Sequence, residues 1–422
     1  MTTRRQLLLT AAAGLGTLVL PHARASAAAK TTLRVTYAPA NLSPMYEAVF
    51  KAFMDENPDI AVTGRGFANY GDLMQDNLRA QITGGLPDVS HEGLNLIRIY
   101  ADKALAVPLD GYLAHDGGWS AAGYPAAVQR IGQFNGKVHA IPFAVSTPTL
   151  FYNLDLVRRA GGDPAKLPAD WPEVLALAKS IGGLGSGISG IYYDYASSSA
   201  FAFETLLFSR GGSMMSPDEK TLLFNGPEGQ WSMDMFRRFG EAGQVDMSRT
   251  AALQSFVAGT LGIYSNTSSQ LGTLDRNIGD RFGYAMTAVP LYQNGLVPAA
   301  GNGMVMFSAD DQRREAAWAY IKFASSPKGQ AIMAKSSGYV PVNSRTLDDG
   351  TMRAFYDAHP NYAVALGQIK DLTAWYLFPG ANGVKANDAL TLAMGEVATL
   401  RKPPDQALAD VTSEISKLIG LS

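Results

Sequence analysis

Thr32-Leu33-Arg34-Val35-Thr36-Tyr37-Ala38 alternates and reads as a strand, and Met45 to Glu56 follows it with Met45, Val49, Phe50 and Phe53 on one helical face until Asn57-Pro58 stops the run. The same phrase then recurs. Ile60 to Thr63 reads as strand, Tyr70 to Thr83 as helix, Pro87 to Glu92 as a short strand and Asn95 to Lys103 as helix. Strands that alternate with helices in this way imply an α/β unit with a largely parallel sheet.

Beyond it the chain is extended from Ile141 to Pro148, and Thr149 to Asn153 reads as another strand before Asp155 to Ala160 turns helical. A first crossing between two lobes belongs here. Asp170 suits the N-cap of a helix from Trp171 to Ile181, with Glu173 completing a capping box. Gly182 to Gly190 makes a loop into Ile191-Tyr192-Tyr193, and Leu261 to Tyr264 is a strand followed by the polar stretch Ser265 to Ser269, read as a loop. Next come a strand over Phe282 to Met286, Gly301-Asn302-Gly303 leading into the strand Met304 to Phe307, and helices over Arg313 to Ala324 and Pro327 to Lys335. The second helix delivers the chain to Ser336-Ser337-Gly338-Tyr339-Val340-Pro341-Val342-Asn343.

Arg4-Arg5, the apolar stretch Leu7 to Leu20 and the small residues around Ala23-Arg24-Ala25 have the layout of an export signal over residues 1–25. About 14 apolar residues fall short of the roughly 20 that span a bilayer, so the leader is expected to be cleaved. Twin-arginine export fits the arginine pair and the general secretory route fits Leu7 and Leu9, which stand where the twin-arginine consensus prefers Phe and Lys. A cut after Ala25 removes three arginines and takes the formal net charge from −2 to −5. Roughly 400 remaining residues exceed what one core organises, which favours two lobes. With no basic tract, nucleic acid is not an expected partner. No cysteine is present, so disulfides, thiolate metal sites and a lipid anchor are excluded. An exported, unanchored protein is expected in the Gram-negative periplasm.

Enzyme motifs do not hold together. Gly185 to Gly190 matches G-x-G-x-x-G but leaves a helix and enters a strand, the reverse of a dinucleotide site, and no G-x-S-x-G occurs. His91-Glu92 has Asn95 where a zincin needs its second histidine, so no metal site and no cofactor are expected.

The order of Ala52-Phe53 with Glu56-Asn57-Pro58, Asn69-Tyr70, Ser146-Thr147-Pro148 with Phe151-Tyr152-Asn153, Asp170-Trp171, Gly338-Tyr339-Val340-Pro341 and Pro404 with Gln406-Ala407-Leu408 runs over essentially the whole mature chain. It resembles the extracellular solute-binding proteins of ABC importers for sugars, nearest the glycerol-3-phosphate-binding type. The resemblance implies a two-lobed periplasmic-binding-protein fold of type II, α/β, with a cleft between the lobes and hinge crossings near Val145, Ser268 and Pro327. Lobe 1 is then expected to comprise 26–145 plus 268–327, and lobe 2 146–267 plus 328–422. It also implies a monomer that closes on its solute and presents a surface to the permease subunits.

Carried across residue by residue, the resemblance assigns ligand contacts to Tyr70, Glu92 (or His91), Ser146, Thr267 or Ser268, Gly301 or Asn302, and Tyr339. Hydroxyls, amides and aromatic faces suit a polyol. Tyr193, Asp194 and Trp375 are further candidates for the site. The glycerol-phosphate binder carries an arginine on its C-terminal glycine-containing loop, whereas here the stretch reads Phe378-Pro379-Gly380-Ala381-Asn382-Gly383-Val384-Lys385. Asn382 there favours a sugar, sugar derivative or polyol, with Lys385 as the substitute cation in the alternative, glycerol-3-phosphate. An exported glycosidase is the rival from another class.

Overall fold

The computed structural model describes residues 31–118, 123–196, 198–308 and 310–421, so the leader and its cleavage site lie outside the described residues. The opening alternation is reproduced: β1 (Thr31–Tyr37), α1 (Ser43–Glu56), β2 (Ile60–Gly66), α2 (Tyr70–Ile82), β3 (Val89–Gly93) and α3 (Ile97–Asp102). The face of α1 that points inward is the one its spacing predicts, with Met45, Tyr46, Val49, Phe50 and Phe53 buried. Each large side chain of this kind contributes about 2–3 kcal/mol when fully buried. Asn69 starts α2 by accepting a hydrogen bond from the amide of Asp72.

The chain continues through β4 (Ile141–Ser146), β5 (Pro148–Asn153), α4 (Trp171–Gly182), β6 (Ser189–Tyr192), α5 (Phe201–Ser209), α6 (Pro227–Glu241), α7 (Arg249–Val257), β7 (Leu261–Thr267) and β8 (Tyr284–Ala288). It ends with β9 (Ala300–Met306), α8 (Asp311–Ala324), α9 (Pro327–Ser336), α10 (Pro360–Gly367), α11 (Gly383–Ala398) and α12 (Pro404–Ile419). Two sheets organise these elements. The first has five strands in the order β2-β1-β3-β9-β4, with β1 parallel to both neighbours and β9 antiparallel to both of its own. The second has four strands in the order β8-β5-β7-β6, with β6 parallel to β7 and the other pairs antiparallel. The fold is thus α/β and two-lobed, one sheet to each lobe.

Thr147 is the single residue between β4 of the first sheet and β5 of the second, which places the first crossing where the extended stretch Ile141 to Pro148 predicts it. Its amide donates to Ser268 Oγ at 3.3 Å, its carbonyl accepts from the Ser268 amide at 2.9 Å, and its hydroxyl donates to Gln368 Oε1 at 2.6 Å. Val340 donates to the carbonyl of Val145 at 2.7 Å, so the Gly-Tyr phrase packs against the same junction. A buried crossing with its polar groups satisfied can rotate as a unit without exposing orphan amides.

Strand pairing departs from the expected lobe boundaries at two places. Residues 284–288 do not join the first lobe: β8 pairs antiparallel with β5, from Tyr284 opposite Asn153 to Ala288 opposite Thr149. Without it, buried Leu150, Phe151 and Tyr152 would stand on an open sheet edge. The return to the first sheet therefore comes between Val289 and Ala300, and Ser268 braces the junction without crossing it. Residues 328–336 likewise stay with the first lobe, because Lys328 pairs with Glu56 at 2.5 Å and Gln330 donates to the carbonyl of Phe143 at 3.0 Å. The break at Pro327 only separates α8 from α9, whose N-cap is Ser326. The polar stretch read as a loop is partly strand: β7 runs on to Thr267, opposite Pro148.

Candidate functional site

A cleft of about 640 Å³ opens between the lobes. Its first-lobe wall comes from the ends of elements at the carboxyl edge of the parallel strands, where open α/β sheets place their ligands: Asn69 and Tyr70 at the start of α2, and Asn95 and Leu96 just after β3. Ser146, Pro148, Ala300, Gly301 and Tyr339 come from the junction. The second lobe supplies Tyr193, Asp194, Phe201, Arg249, Ser265, Asn266, Thr267, Trp375 and Asp388.

The junction is polar and constrained. Asn302 Nδ2 donates to the hydroxyls of Tyr70 at 3.2 Å and Tyr46 at 3.1 Å, while its Oδ1 lies 3.1 Å from His91 Nδ1. Burial pushes the Tyr70 and Tyr339 phenols up, so both stay protonated donors. Gly301 has φ +109, and a Cβ built on it would stand 1.9 Å from the carbonyl oxygen of Ala144. The ring of Tyr339 packs against that same spot, at 3.2 Å. Only glycine lets β9 approach β4 this closely beneath the aromatic ring.

On the opposite wall Arg249 Nε pairs with Asp194 Oδ2 at 2.7 Å, and the Asp194 charge holds the guanidinium above its ordinary value. Phe201 meets Trp375 edge to face at 5.0 Å between centroids, and the Trp375 indole donates to the carbonyl of Ser199 at 3.2 Å. Ser199 and Ala200 both have left-handed backbones, at φ 60 and 55. Asn387 Nδ2 donates to the same carbonyl at 3.1 Å, and Thr391 Oγ1 accepts from the Ala200 amide at 3.0 Å. These contacts hold a conformation that costs L-residues about 1 kcal/mol each. The aromatic corner is thus set by the backbone.

Of the residues assigned from sequence, Tyr70, Ser146, Thr267, Gly301 and Tyr339 line the cleft, as do Tyr193, Asp194 and Trp375. Glu92, Ser268, Asn302 and Asn382 do not. Glu92 and His91 sit on the central strand β3 with no exposure, because helices cover both faces of that sheet. Glu92 Oε1 accepts from Asn77 Nδ2 at 2.6 Å and Ser90 Oγ at 2.5 Å. Asn302 is equally buried and acts behind Tyr70, as the strand alternation that exposes Gly301 requires. Ser268 opens a short 3-10 turn after β7 and is held in the junction by its hydrogen bonds to Thr147, leaving Thr267 and Ser269 at the cleft, with hydroxyls 2.8 Å apart. Asn382 Nδ2 donates to the carbonyl of Leu418 at 3.0 Å, tying α11 to α12, and Asp388, further along α11, faces the solute space.

Arg249, Asn95 and Asp388 are the additions that the sequence reading missed. Arg249 carried a signal: it opens α7, where a cation opposes the helix dipole and is out of place without an anion nearby. Asn95 and Asp388 carried none, since only the packing of the lobes brings them to one cavity.

The burial of Glu92 has a measurable result. Its carboxyl is pushed from 4.5 up to about 7 by desolvation, so the folded state binds this proton more tightly than the unfolded chain. Its contribution to stability is present below pH 4.5 and is lost as pH rises through about 7, by on the order of 3 kcal/mol. His91, driven from 6.5 down to about 3 by burial, acts in the opposite sense, its contribution being lost as pH falls below 6.5. The difference between two proteins separates them. Glu92→Gln can donate to Asn77 Oδ1, which has no hydrogen-bond partner among the described residues. In urea titrations it is expected to match the parent near pH 4 and exceed it by about 3 kcal/mol near pH 8.

Among solved structures, UgpB from Mycobacterium tuberculosis in complex with glycerophosphocholine superposes with a TM-score of 0.81 at 19% identity, covering 92% of this chain and 98% of its own. The GacH receptor of Streptomyces glaucescens, solved unliganded and with acarbose, gives 0.79 at 20% identity over 93% and 99%. At such identities the likeness establishes the fold. A Brucella abortus (strain 2308) protein designated a binding protein is 24% identical over 424 residues, 96% of this chain and 97% of its own. The sn-glycerol-3-phosphate-binding periplasmic protein UgpB of Agrobacterium fabrum is 24% identical over 248 residues, 56% of each chain. Residues 48–364 match the family described as bacterial extracellular solute-binding protein, and the chain belongs to that family.

Proposed function

We propose that this chain is the periplasmic receptor of an ABC importer, a monomer that captures a sugar, sugar derivative or polyol between its lobes and delivers it unaltered to the permease. The leader would be removed on twin-arginine or general secretory export. The observation that carries the choice of solute is the charge in the cleft: Arg249, the one cation among the described lining residues, is already paired with Asp194, and Asp388 adds a second carboxylate. That balance disfavours a phosphate. Hydroxyls and amides from both lobes, flanked by Tyr70, Tyr193, Phe201 and Trp375, suit a hydroxylated solute with apolar C–H faces.

Glycerol-3-phosphate or a glycerophosphodiester is the second reading, supported by the names of the UgpB relatives. It loses ground on the C-terminal loop, where Lys385 is exposed and not among the lining residues. The exported-glycosidase reading has no support from the family, whose members bind solutes and are not enzymes.

A thermal-shift screen over neutral saccharides, polyols, glycerol-3-phosphate and glycerophosphodiesters tests the assignment. A neutral solute at 100 times its Kd is expected to stabilise the fold by about 2.7 kcal/mol. Stabilisation by the phosphorylated compounds alone would overturn the solute class, and hydrolysis of chromogenic glycosides would overturn the receptor itself.

A further inference from the structure

Arg98 belongs to α3 on the first lobe: Ile97 beside it packs toward Gly303 of β9, and Tyr100 meets Phe307 edge to face at 5.1 Å. Its guanidinium reaches the second lobe. Nη1 and Nη2 donate to Oε1 and Oε2 of Glu219, both at 2.5 Å, and Nη1 also lies 3.4 Å from the carbonyl of Leu377. Tyr376 donates its hydroxyl to Glu219 Oε1 at 3.1 Å. Among the described ion pairs this is the one that joins the lobes.

Its surroundings distinguish it from an ordinary surface pair. The Arg98 side chain is 14% exposed and that of Glu219 31%, so the fork is partly withdrawn from water. Two-point geometry between guanidinium and carboxylate is strong and directional. Glu219 is held at φ +55, a left-handed backbone disfavoured for any residue with a Cβ. Arg98 and the Tyr376 that holds Glu219 both connect to the cleft walls within a few residues: Asn95 and Leu96 precede α3, and Trp375 precedes Tyr376.

We infer that Arg98 and Glu219, steadied by Tyr376, form a latch across the rim of the cleft that biases the solute-free protein toward this lobe arrangement. Opening separates the pair but leaves Arg98 with Asp102, whose carboxylate lies 3.3 Å from Nε, and with water. Desolvation on closing offsets much of the attraction, so the latch is a bias and leaves the cleft open to entry. A bias of about tenfold follows from one charge-assisted interaction, and it multiplies the apparent affinity of any solute by changing the competent fraction. The inference concerns the lobes alone and holds for any solute class.

The chain has no cysteine, so two introduced labels report without background. Thr83→Cys on the first lobe and Ser413→Cys on the second are both exposed positions. With spin labels there, pulsed electron–electron distance measurements on solute-free protein in low salt are expected to show mainly the shorter separation. Glu219→Gln and, independently, Arg98→Met should raise the longer-distance population about tenfold. One molar NaCl should move the parent the same way and leave Glu219→Gln unchanged. A Glu219→Gln distribution identical to the parent's overturns the latch, as does a parent whose distribution ignores salt. Glu219 lies in a surface turn whose strands are bridged at Met215 and Leu222, so an unaltered melting temperature for Glu219→Gln is expected alongside the shift.

Discussion

Gly301→Ala is expected to lower the unfolding free energy by about 3–5 kcal/mol and to abolish solute binding. The added methyl meets two obstacles at once. The backbone at φ +109 is strained for any L-residue, and the carbonyl oxygen of Ala144, 1.9 Å from the new Cβ, belongs to a sheet neighbour that cannot turn aside without breaking the β9–β4 pairing. Relief would require the strands to separate where Tyr339 seals the junction. Urea titration of the solute-free protein reads the loss, and Gly350→Ala is the control, since its Cβ meets nothing within 4 Å. That control should stay within about 0.5 kcal/mol of the parent. A Gly301→Ala protein of parental stability would show that the junction is soft, and the account of a rigid crossing would fall.

Asp194→Asn is expected to weaken the neutral solute found by the screen about 10- to 100-fold, the loss that accompanies removal of a charge-assisted hydrogen bond. The carboxylate side chain is 7% exposed and accepts from the Ala196 amide at 3.2 Å, so it is oriented before the solute arrives. The second effect has the opposite sign. Neutralising Asp194 releases Arg249, whose other contact is with Asn266 Oδ1 at 3.4 Å, and the cleft then presents an uncompensated cation. Anionic analogues such as glycerol-3-phosphate should gain affinity in the same variant. Isothermal titration against both solutes checks the pair of changes. Unchanged affinity for both would remove the Asp194–Arg249 pair from the binding surface.

Within the first lobe the elements were legible because each carries its own period: alternation in β1, an apolar stripe in α1, and a stop at Asn57-Pro58. The capped helix at Asp170 was legible for the same local reason, its carboxylate accepting from the Glu173 amide at 2.9 Å. Residue order pointed to Tyr70, Ser146, Thr267, Gly301 and Tyr339, which the structure places on the cleft wall. It pointed also to Glu92, and to Asn302 as the alternative to Gly301, which the structure places behind the cleft wall. Both instead satisfy a polar network inside a sheet covered on both faces, and a buried carboxylate and a solvent-facing one look alike in sequence.

The amino-acid sequence alone determined the strand and helix order, the first crossing and the chemistry of the junction, since periodicity, capping and turn residues act over a few neighbours. Tertiary structure decided which strand completes β5, which side of each strand meets the cleft, and that Arg249 comes to rest beside Asp194. Those outcomes depend on burial and on partners far apart along the chain, such as Arg98 and Glu219, whose interaction energy exists only once the two lobes are packed together.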